Sequence, residues 1–215
     1  APRPNHVVKS FLEKLGMEKE IRDHVFTSGE AALIYLNKNL INKSFFHVGP
    51  PRDFDLFKDF KKNKSEEISE SEYILCTGLY DNHNKELTYY KNLLEKYIDK
   101  KMICTNPDLI VDRGNVREFC AGSIAMVFEK MGGKVTYFGK PYPEVYNLCF
   151  NKNEKVLAIG DNLRTDIKGA NNLNLDCIFI TDGVHREELN KISDLSKLSK
   201  MHNVEIDFFQ KELTW

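Results

Sequence analysis

Residues 156–166, VLAIGDNLRTD, contain the pattern that decides the fold class. The first four residues are apolar and predict a short buried β-strand. Gly160 permits a tight turn where this strand ends, and Asp161 follows directly at its carboxyl end. The amphipathic stretch that begins near Asp166 predicts a helix. A strand that turns at once into a helix is typical of a parallel α/β sheet.

Asp161 and Asp166 are the first candidate site residues. Ligands of open α/β sheets bind at the carboxyl ends of strands, and carboxylate oxygens suit a small divalent cation such as Mg²⁺. A structural explanation stands beside this one, because acids are also favourable in turns and near helix N-termini. Arg164 and Thr165 lie between the two acids. They either contact a phosphate group or cap the helix, and this stretch alone leaves both alternatives open.

Predicted strands alternate with predicted helices along most of the chain. This alternation indicates βαβ units and a mostly parallel sheet. Asn5 and Ser28 are the predicted N-caps of the first two helices. The predicted strands are 24–26, 44–48, 73–78, 102–104, 135–138, 156–159, 177–180 and 204–206, with a hairpin of 109–111 and 116–119 around a turn at 113–115. The predicted helices are 5–15, one that begins at residue 28, 54–60, 85–97, 122–131, 143–150 and a mostly helical segment up to residue 201.

The composition is that of an ordinary globular protein, with 41% hydrophobic and 29% charged residues among 215. A net charge of -1 gives no reason to expect nucleic acid or an anionic membrane as a partner. We see no apolar run of membrane-spanning length and no signal peptide, which favours a cytoplasmic location. The five cysteines have no CxxC spacing and lie in or beside apolar runs. They are interpreted as buried free thiols rather than disulfides or zinc ligands.

Lys140 is a further candidate, in the sequence Gly139-Lys140-Pro141. It follows a predicted strand, so its ammonium group is expected at the carboxyl end of a strand that neighbours the strand before Asp161. A lysine there can hold a carboxylate, a phosphate or both. The alternative is a surface lysine in a turn.

The sequence Thr105-Asn106-Pro107-Asp108 follows another predicted strand. Asn-Pro-Asp favours a turn on its own. Asn106 and Asp108 either form only that turn or reach over the strand ends to contact a substrate. The six histidines show no metal-ligand partner at helical spacing and are interpreted as packing or surface residues. Only His185 is kept as a weak neighbour of the site.

Three motifs carry a family resemblance: TNPD (105–108), GKPYPEVY (139–146) and GDNLRTDI (160–167). In this order and spacing they resemble the haloacid-dehalogenase-like (HAD) superfamily. The greatest similarity is to subclass IIA, the phosphatases akin to pyridoxal phosphatase, phosphoglycolate phosphatase and 4-nitrophenylphosphatase. The resemblance implies a Rossmann-like parallel-sheet core with an inserted α/β cap domain. Residues 1–27 and 106–215 would belong to the core, and residues 28–105 would form the cap.

The resemblance also implies a role for each residue that matches a motif. Lys140 would steady an aspartyl nucleophile and the transferring phosphoryl group. Asp161 would be a Mg²⁺ ligand, and Asp166 would support the metal directly or through water. The implied reaction is Mg²⁺-dependent hydrolysis of a small phosphorylated metabolite through an aspartyl-phosphate. A homodimer formed through the cap is a further implication.

The sequence departs from the family pattern in one respect. The family's nucleophile lies in an Asp-x-Asp motif on the first core strand, whereas the one such string here, Asp53-Phe54-Asp55, lies in the predicted cap. We therefore expect the chain to lack that first strand and the phosphate-binding hydroxyl after it, and to have negligible activity and marginal stability alone. The alternative is a non-catalytic remnant or split-gene product that binds only a ligand or partner. A nucleotide-binding Rossmann domain is disfavoured, because the glycine fingerprint is absent.

Overall fold

The computed structural model describes residues 1–114, 116–151 and 153–214. The chain divides into two compact units, Ala1–Gly139 and Lys140–Trp215. In the described residues, strands pair in parallel everywhere except in one hairpin. The predicted α/β class with a parallel central sheet is therefore confirmed.

The first unit is built on a five-stranded parallel sheet. Its strands are β1 (Phe45–Val48), β2 (Lys64–Ser65), β3 (Tyr73–Cys76), β4 (Lys101–Cys104) and β7 (Lys134–Tyr137), in the order β2-β1-β3-β4-β7. The helices are α1 (Asn5–Lys14), α2 (Lys19–Arg22), α3 (Ser28–Asn39), α4 (Leu87–Leu94) and α5 (Ala121–Lys130). Short 3₁₀ helices span Asp81–His83 and Glu95–Tyr97, and the longer 3₁₀ segment Pro51–Asn63 is interrupted by non-helical backbone at Phe57 and Phe60. The predicted hairpin is confirmed as β5 (Ile110–Arg113) and β6 (Val116–Phe119), while Asn115 of its predicted turn lies outside the described residues.

The central strands explain the core of this unit. Every residue of β3 is buried, because neighbouring strands flank it and the sheet is covered on both faces. Ile74 and Met102 of the sheet pack in one cluster with Tyr90 and Leu94 of α4 and Phe128 of α5. The continuous apolar runs that predicted these strands are therefore the runs that a buried parallel sheet requires.

The second unit contains a three-stranded parallel sheet with the order β10-β9-β8. The strands are β8 (Leu157–Gly160), β9 (Asp176–Ile180) and β10 (Phe208–Gln210). The helices are α6 (Pro143–Tyr146), a π-helical turn (Leu163–Ile167) that leads into α7 (Lys168–Asn172), α8 (Arg186–Ile192) and α9 (Leu195–His202). The core is formed by fully buried side chains of both the sheet and the helices, namely Leu163, Ile167, Ala170, Cys177, Phe179 and Leu198.

Two strand predictions are wrong, and a third strand is less buried than predicted. Residues 24–26 form no strand, because His24 and Val25 donate their N–H groups back to α2 and continue its turn. The last strand is β10 rather than 204–206, because the N–H groups of Val204 and Glu205 bond to Ser199 and to the Asn171 side chain. Strand β8 is not fully buried. It pairs with β9 alone among the described strands, and Leu157 and Ile159 are 48% and 38% exposed.

Both predicted helix caps are displaced by one residue. Asn5 is the first residue of α1, and its Oδ1 accepts the N–H of Thr27 at 2.9 Å. Thr27 is the N-cap of α3, where its Oγ1 accepts the N–H of Glu30 at 3.0 Å. Asn5 is drawn into a contact with another segment, so its side chain is not available to its own helix.

The domain boundaries at residues 27/28 and 105/106 stay predictions. The five-stranded sheet itself includes β7, which lies beyond residue 105. All five cysteines are free thiols; Cys76, Cys104, Cys120 and Cys177 are buried as predicted, whereas the predicted burial is wrong for Cys149, which is exposed. In the part of the chain that is described, no helix combines the length and hydropathy that crossing a membrane requires.

Candidate active site

Asp161 lies directly after β8, at the carboxyl end of the strand, as predicted. Its Oδ2 accepts the backbone N–H of Val184 at 3.0 Å. A Cβ atom added at Gly183 would lie 2.3 Å from Cβ and Oδ2 of Asp161, so the backbone at 183–184 is packed closely against this side chain. Glycine at 183 therefore permits the hydrogen bond that orients the carboxylate of Asp161.

Asp166 is buried in the π-helical turn that follows β8. Its Oδ1 accepts a hydrogen bond from Nζ of Lys140 in an ion pair, and its Oδ2 accepts the backbone N–H of Asn162 at 3.1 Å. A Cβ atom added at Gly160 would lie 2.2 Å from Cγ of Asp166. The close approach of Asp166 thus requires glycine at the end of the strand, whereas the backbone of Gly160 has no positive φ, so the turn itself does not require it.

Lys140 is brought to Asp166, and its side chain is about half exposed. The predicted placement of the strand before Lys140 beside β8 is wrong. Lys140 was expected after a strand that neighbours β8, whereas β7 belongs to the five-stranded sheet and β8 to the three-stranded one. The chain leaves the first sheet before Lys140, and the lysine is held by the turn after β8 rather than by sheet pairing.

Arg164 and Thr165 differ in accessibility. Arg164 is exposed and Thr165 is buried. Neither residue caps the turn, because Asn162 is the N-cap and its Oδ1 accepts the N–H of Arg164 at 3.0 Å. Of the two alternatives, the cap is therefore assigned to Asn162, and a phosphate contact by Arg164 or Thr165 stays a prediction.

Asn106 and Asp108 belong to the first unit, whereas the other predicted site residues belong to the second. Oδ1 of Asn106 accepts the N–H of Asp108 at 3.4 Å, and the carbonyl of Asp108 accepts the N–H of Gly122 at the start of α5. This is the side-chain turn that Asn-Pro-Asp favours. The turn is confirmed, and contact with a substrate stays a prediction.

Three residues that contact or lie near the two acids were not predicted. Asn162 and Val184 supply the hydrogen bonds described above. Burial raises the pKa of the Tyr146 hydroxyl, and the nearby charge of Asp166 raises it further, so the hydroxyl stays protonated. Tyr146 is the last residue of the quoted GKPYPEVY motif, and Asn162 directly follows Asp161. Their positions in two site motifs are the signals that could have identified them.

The Asp53-Phe54-Asp55 string does not resemble a nucleophile at a strand end. It lies within the 3₁₀ helix Pro51–Asn63, and Asp53 is buried. Oδ1 of Asp53 accepts a hydrogen bond from Nε of Arg3 at 3.3 Å, and burial raises the pKa of the Asp53 carboxyl. Asp53 is engaged in the packing of the first unit.

The fold and these residues define a parallel α/β protein with an acidic site at the end of a strand and a lysine paired to one of its acids. The family model for HAD-hydrolase-like proteins matches residues 137–199, the segment that contains the lysine and both acids. The ribonucleotide monophosphatase NagD of Escherichia coli K12 is 35% identical over 89 residues, which are 39% of this chain and 34% of that protein. The match thus spans about a third of the curated relative's length.

Solved structures of other proteins align with nearly the whole of this chain. A haloacid dehalogenase-like hydrolase from Brucella suis 1330 is 28% identical with a TM-score of 0.83, over 99% of this chain and 80% of that one. The p-nitrophenyl phosphatase from Archaeoglobus fulgidus shares the fold at 18% identity and a TM-score of 0.67, over 98% and 79% of the two chains. Residues 137–199 thus match the HAD-hydrolase-like family, and nearly the whole chain is similar to a solved haloacid dehalogenase-like hydrolase.

Proposed function

We propose that this chain carries the metal-binding half of a Mg²⁺-dependent phosphatase for a small phosphorylated metabolite. One observation carries the proposal: Lys140 is paired to Asp166, and the other oxygen of Asp166 is bonded to the residue next to Asp161. A cation and two carboxylates are thereby gathered at the carboxyl end of β8. This is the edge of an α/β sheet at which ligands bind.

The donor set suits Mg²⁺, which prefers carboxylate and water oxygens. Val184 orients Asp161 through Oδ2, and among the described residues no donor bonds its Oδ1. Both oxygens of Asp166 already accept hydrogen bonds. We therefore assign direct coordination to Asp161 and a contact through water to Asp166. When bound, Mg²⁺ would offset the negative charge of the phosphate group.

Lys140 supplies a second positive charge for the phosphoryl group. The ion pair with Asp166 restricts its flexible stem, while about half of the side chain stays accessible. An ammonium group held in this way can donate hydrogen bonds to phosphate oxygens or to an attacking carboxylate. The exposed Arg164 is proposed to contact the substrate, together with Thr165, Asn106 and Asp108. The relatives named for ribonucleotide monophosphate and p-nitrophenyl phosphate support a phosphate monoester as the substrate class.

The attacking carboxylate is proposed to come from a strand outside these 215 residues. Asp53, in the one Asp-x-Asp string of the sequence, is buried against Arg3 and lies inside a 3₁₀ segment rather than directly at the end of a strand. A cytoplasmic location and a homodimer are further parts of this proposal. The alternative is a split-gene or remnant product that retains the lysine and the acids but binds only a ligand or partner.

The gene around this segment provides the test. An in-frame extension before Ala1 that encodes an Asp-x-Asp strand favours the enzyme, and a stop codon there with no separate fragment favours the remnant. The extended product should hydrolyse p-nitrophenyl phosphate only with Mg²⁺. Its Asp161→Asn variant should lose that activity, while the exposed Asp176→Asn variant should retain it. Full activity of Asp161→Asn would contradict the proposed function.

A further inference from the structure

A second cluster of metal-ligating side chains lies in the second unit and uses neither Lys140 nor the two acids Asp161 and Asp166. His185, Glu188 and His202 each offer one ligand atom, and these atoms all lie within 4.8 Å of one another. Nδ1 of His185 is 2.9 Å from Oε1 of Glu188. Nε2 of His202 is 2.8 Å from Oε2 of the same carboxylate. Two imidazoles therefore converge on one carboxylate.

A helical hairpin brings these three residues together. His185 is the N-cap of α8, Glu188 lies in its first turn, and His202 is the last residue of α9. Asp194 caps α9 by accepting the N–H groups of Ser196 and Lys197 at 2.9 and 3.2 Å. The apolar faces of the hairpin pack in the core of this unit through four residues, namely Leu189, Ile192, Leu195 and Leu198. Because the two helices are joined by two residues and run back on each other, the start of α8 meets the end of α9.

The two histidines of the cluster are buried, whereas its glutamate is partly exposed. The side chains of His185 and His202 are only 3% and 9% exposed, whereas that of Glu188 is 40% exposed. The imidazoles are thus shielded from water, while the carboxylate side remains open to an entering ion. Nε2 of His185 is buried without a hydrogen-bond partner in the described residues. The nitrogen that faces Glu188 is Nδ1, so an ion bound there would leave Nε2 without a partner, and the site rests on the convergence of the three side chains.

We propose that His185, Glu188 and His202 bind one Zn²⁺ ion that bridges α8 and α9. Two imidazole nitrogens and one carboxylate oxygen are a known zinc set, and they leave a fourth position for water. In a tetrahedron with bonds of about 2.1 Å, ligand atoms lie about 3.4 Å apart. The separations here, from 2.8 Å to at most 4.8 Å, bracket that value, so small side-chain rotations are sufficient.

The charges around the cluster favour occupancy on balance. Glu188 supplies one negative charge, and the C-terminal end of α9 adds the negative end of its dipole at His202. The neutral form of an imidazole is the one that binds a metal. Burial lowers the pKa of His185, the bond to Glu188 acts in the opposite direction, and the charge of Arg164 lowers the pKa further. The positive charge of Arg164 opposes a cation, and Glu188 offsets it.

Cobalt titration tests the site without any measurement of phosphatase activity. The purified chain is stripped of metal with a chelator and titrated with Co²⁺ in excess Mg²⁺, which keeps an oxygen-ligand site occupied. We expect the visible absorption of tetrahedral Co²⁺ to rise to one equivalent and to disappear on addition of one equivalent of Zn²⁺. Absence of this absorption in the wild-type chain would overturn the proposal. The three side chains would then serve only to hydrogen-bond α8 to α9.

Variants assign the signal to these residues. Glu188→Gln keeps the side-chain shape and should weaken Co²⁺ binding about tenfold or more, and His202→Ala should abolish it. His83→Ala is the matched control, because His83 and Glu86 repeat the three-residue spacing in the first unit with their side chains 3.5 Å apart. Wild-type affinity in both Glu188→Gln and His202→Ala would contradict the assignment. If His202→Ala fails to fold by circular dichroism, Glu188→Gln decides alone.

Discussion

Lys140 and Asp166 form an ion pair across 26 residues of sequence, and this pair connects the entry of the second unit to the turn after β8. Asp166 is buried and also accepts the N–H of Asn162. The pair therefore stabilises the same turn that presents Asp161. In this account the lysine is both a structural partner of Asp166 and the cation nearest to the proposed phosphate site.

Asp166→Asn should destabilise the second unit by about 1–3 kcal/mol, because the amide cannot reproduce a charge-assisted bond to Lys140 while keeping the Asn162 contact. Urea unfolding of the purified chain measures the change. Asp176→Asn is the control, since Asp176 is exposed and its substitution should stay within about 0.5 kcal/mol. Equal stability of the two variants would show that the ion pair contributes nothing to the fold.

Gly183→Ala should reduce Mg²⁺ affinity about tenfold, since loss of an outer contact to a metal ligand has an effect of this size. The added Cβ would lie 2.3 Å from Asp161 and would displace the carboxylate from the Val184 N–H. Calorimetric titration with Mg²⁺ measures the loss. Gly78→Ala serves as the control, because its Cβ would meet its nearest atom at 3.3 Å, in the other unit. An unchanged affinity in Gly183→Ala would argue against Asp161 as the ligand.

His47 should make the chain less stable in mild acid. Burial, with a smaller contribution from Lys64, lowers the pKa of His47 from 6.5 to about 3. The unfolded chain therefore binds a proton on this residue between pH 6.5 and 3 while the folded chain does not, and stability falls as the pH falls through this window.

Between pH 7 and pH 5 the loss from His47 amounts to about 2 kcal/mol. Urea unfolding at both values should show this loss in the wild type and a smaller one in His47→Gln, which does not titrate. Other groups titrate equally in both proteins, so the difference isolates His47. Parallel pH dependences of the two proteins would contradict a neutral buried His47.

Cys149 should be the thiol that reacts rapidly in the folded chain, because it is exposed and the other four cysteines are buried. A colorimetric disulfide reagent should modify about one thiol per native chain and all five after unfolding. Cys149→Ser should remove the fast phase. Rapid modification of several thiols in the native chain would show that the units are less well packed than described.

The sequence predicts the parts of this fold that depend on apolar periodicity. The runs around Ile74 and Met102 became buried parallel strands, and Asp161 lies at a strand end as its position after Gly160 indicates. Exposure depends on neighbours in the sheet, so the apolar composition of Leu157 and Ile159 did not reveal that β8 has a single described neighbour. The local sequence pattern therefore predicts that a strand forms better than it predicts how far neighbouring segments bury that strand.

In the site, too, the sequence predicts the residues that lie in motifs but not the contacts that depend on the fold. Asp161, Asp166 and Lys140 occur in recognisable motifs, and the pairing of Lys140 with Asp166 follows from their shared site even though the predicted sheet neighbour is wrong. The histidines are interpreted from the sequence as packing or surface residues with no metal-ligand partner at helical spacing, yet His185 and His202 meet on Glu188. The contact of His202 with Glu188 depends on the hairpin of α8 and α9, whereas the three-residue spacing of His185 and Glu188 was present in the sequence and was not recognised.

Mg²⁺ binding to the purified chain tests the central claim most directly. Calorimetric titration should show one Mg²⁺ bound by the wild type and by Asp176→Asn with equal affinity, and an affinity at least about tenfold lower for Asp161→Asn. Wild-type affinity in Asp161→Asn, with the fold unchanged by circular dichroism, would contradict the assignment of the metal site to the carboxyl end of β8.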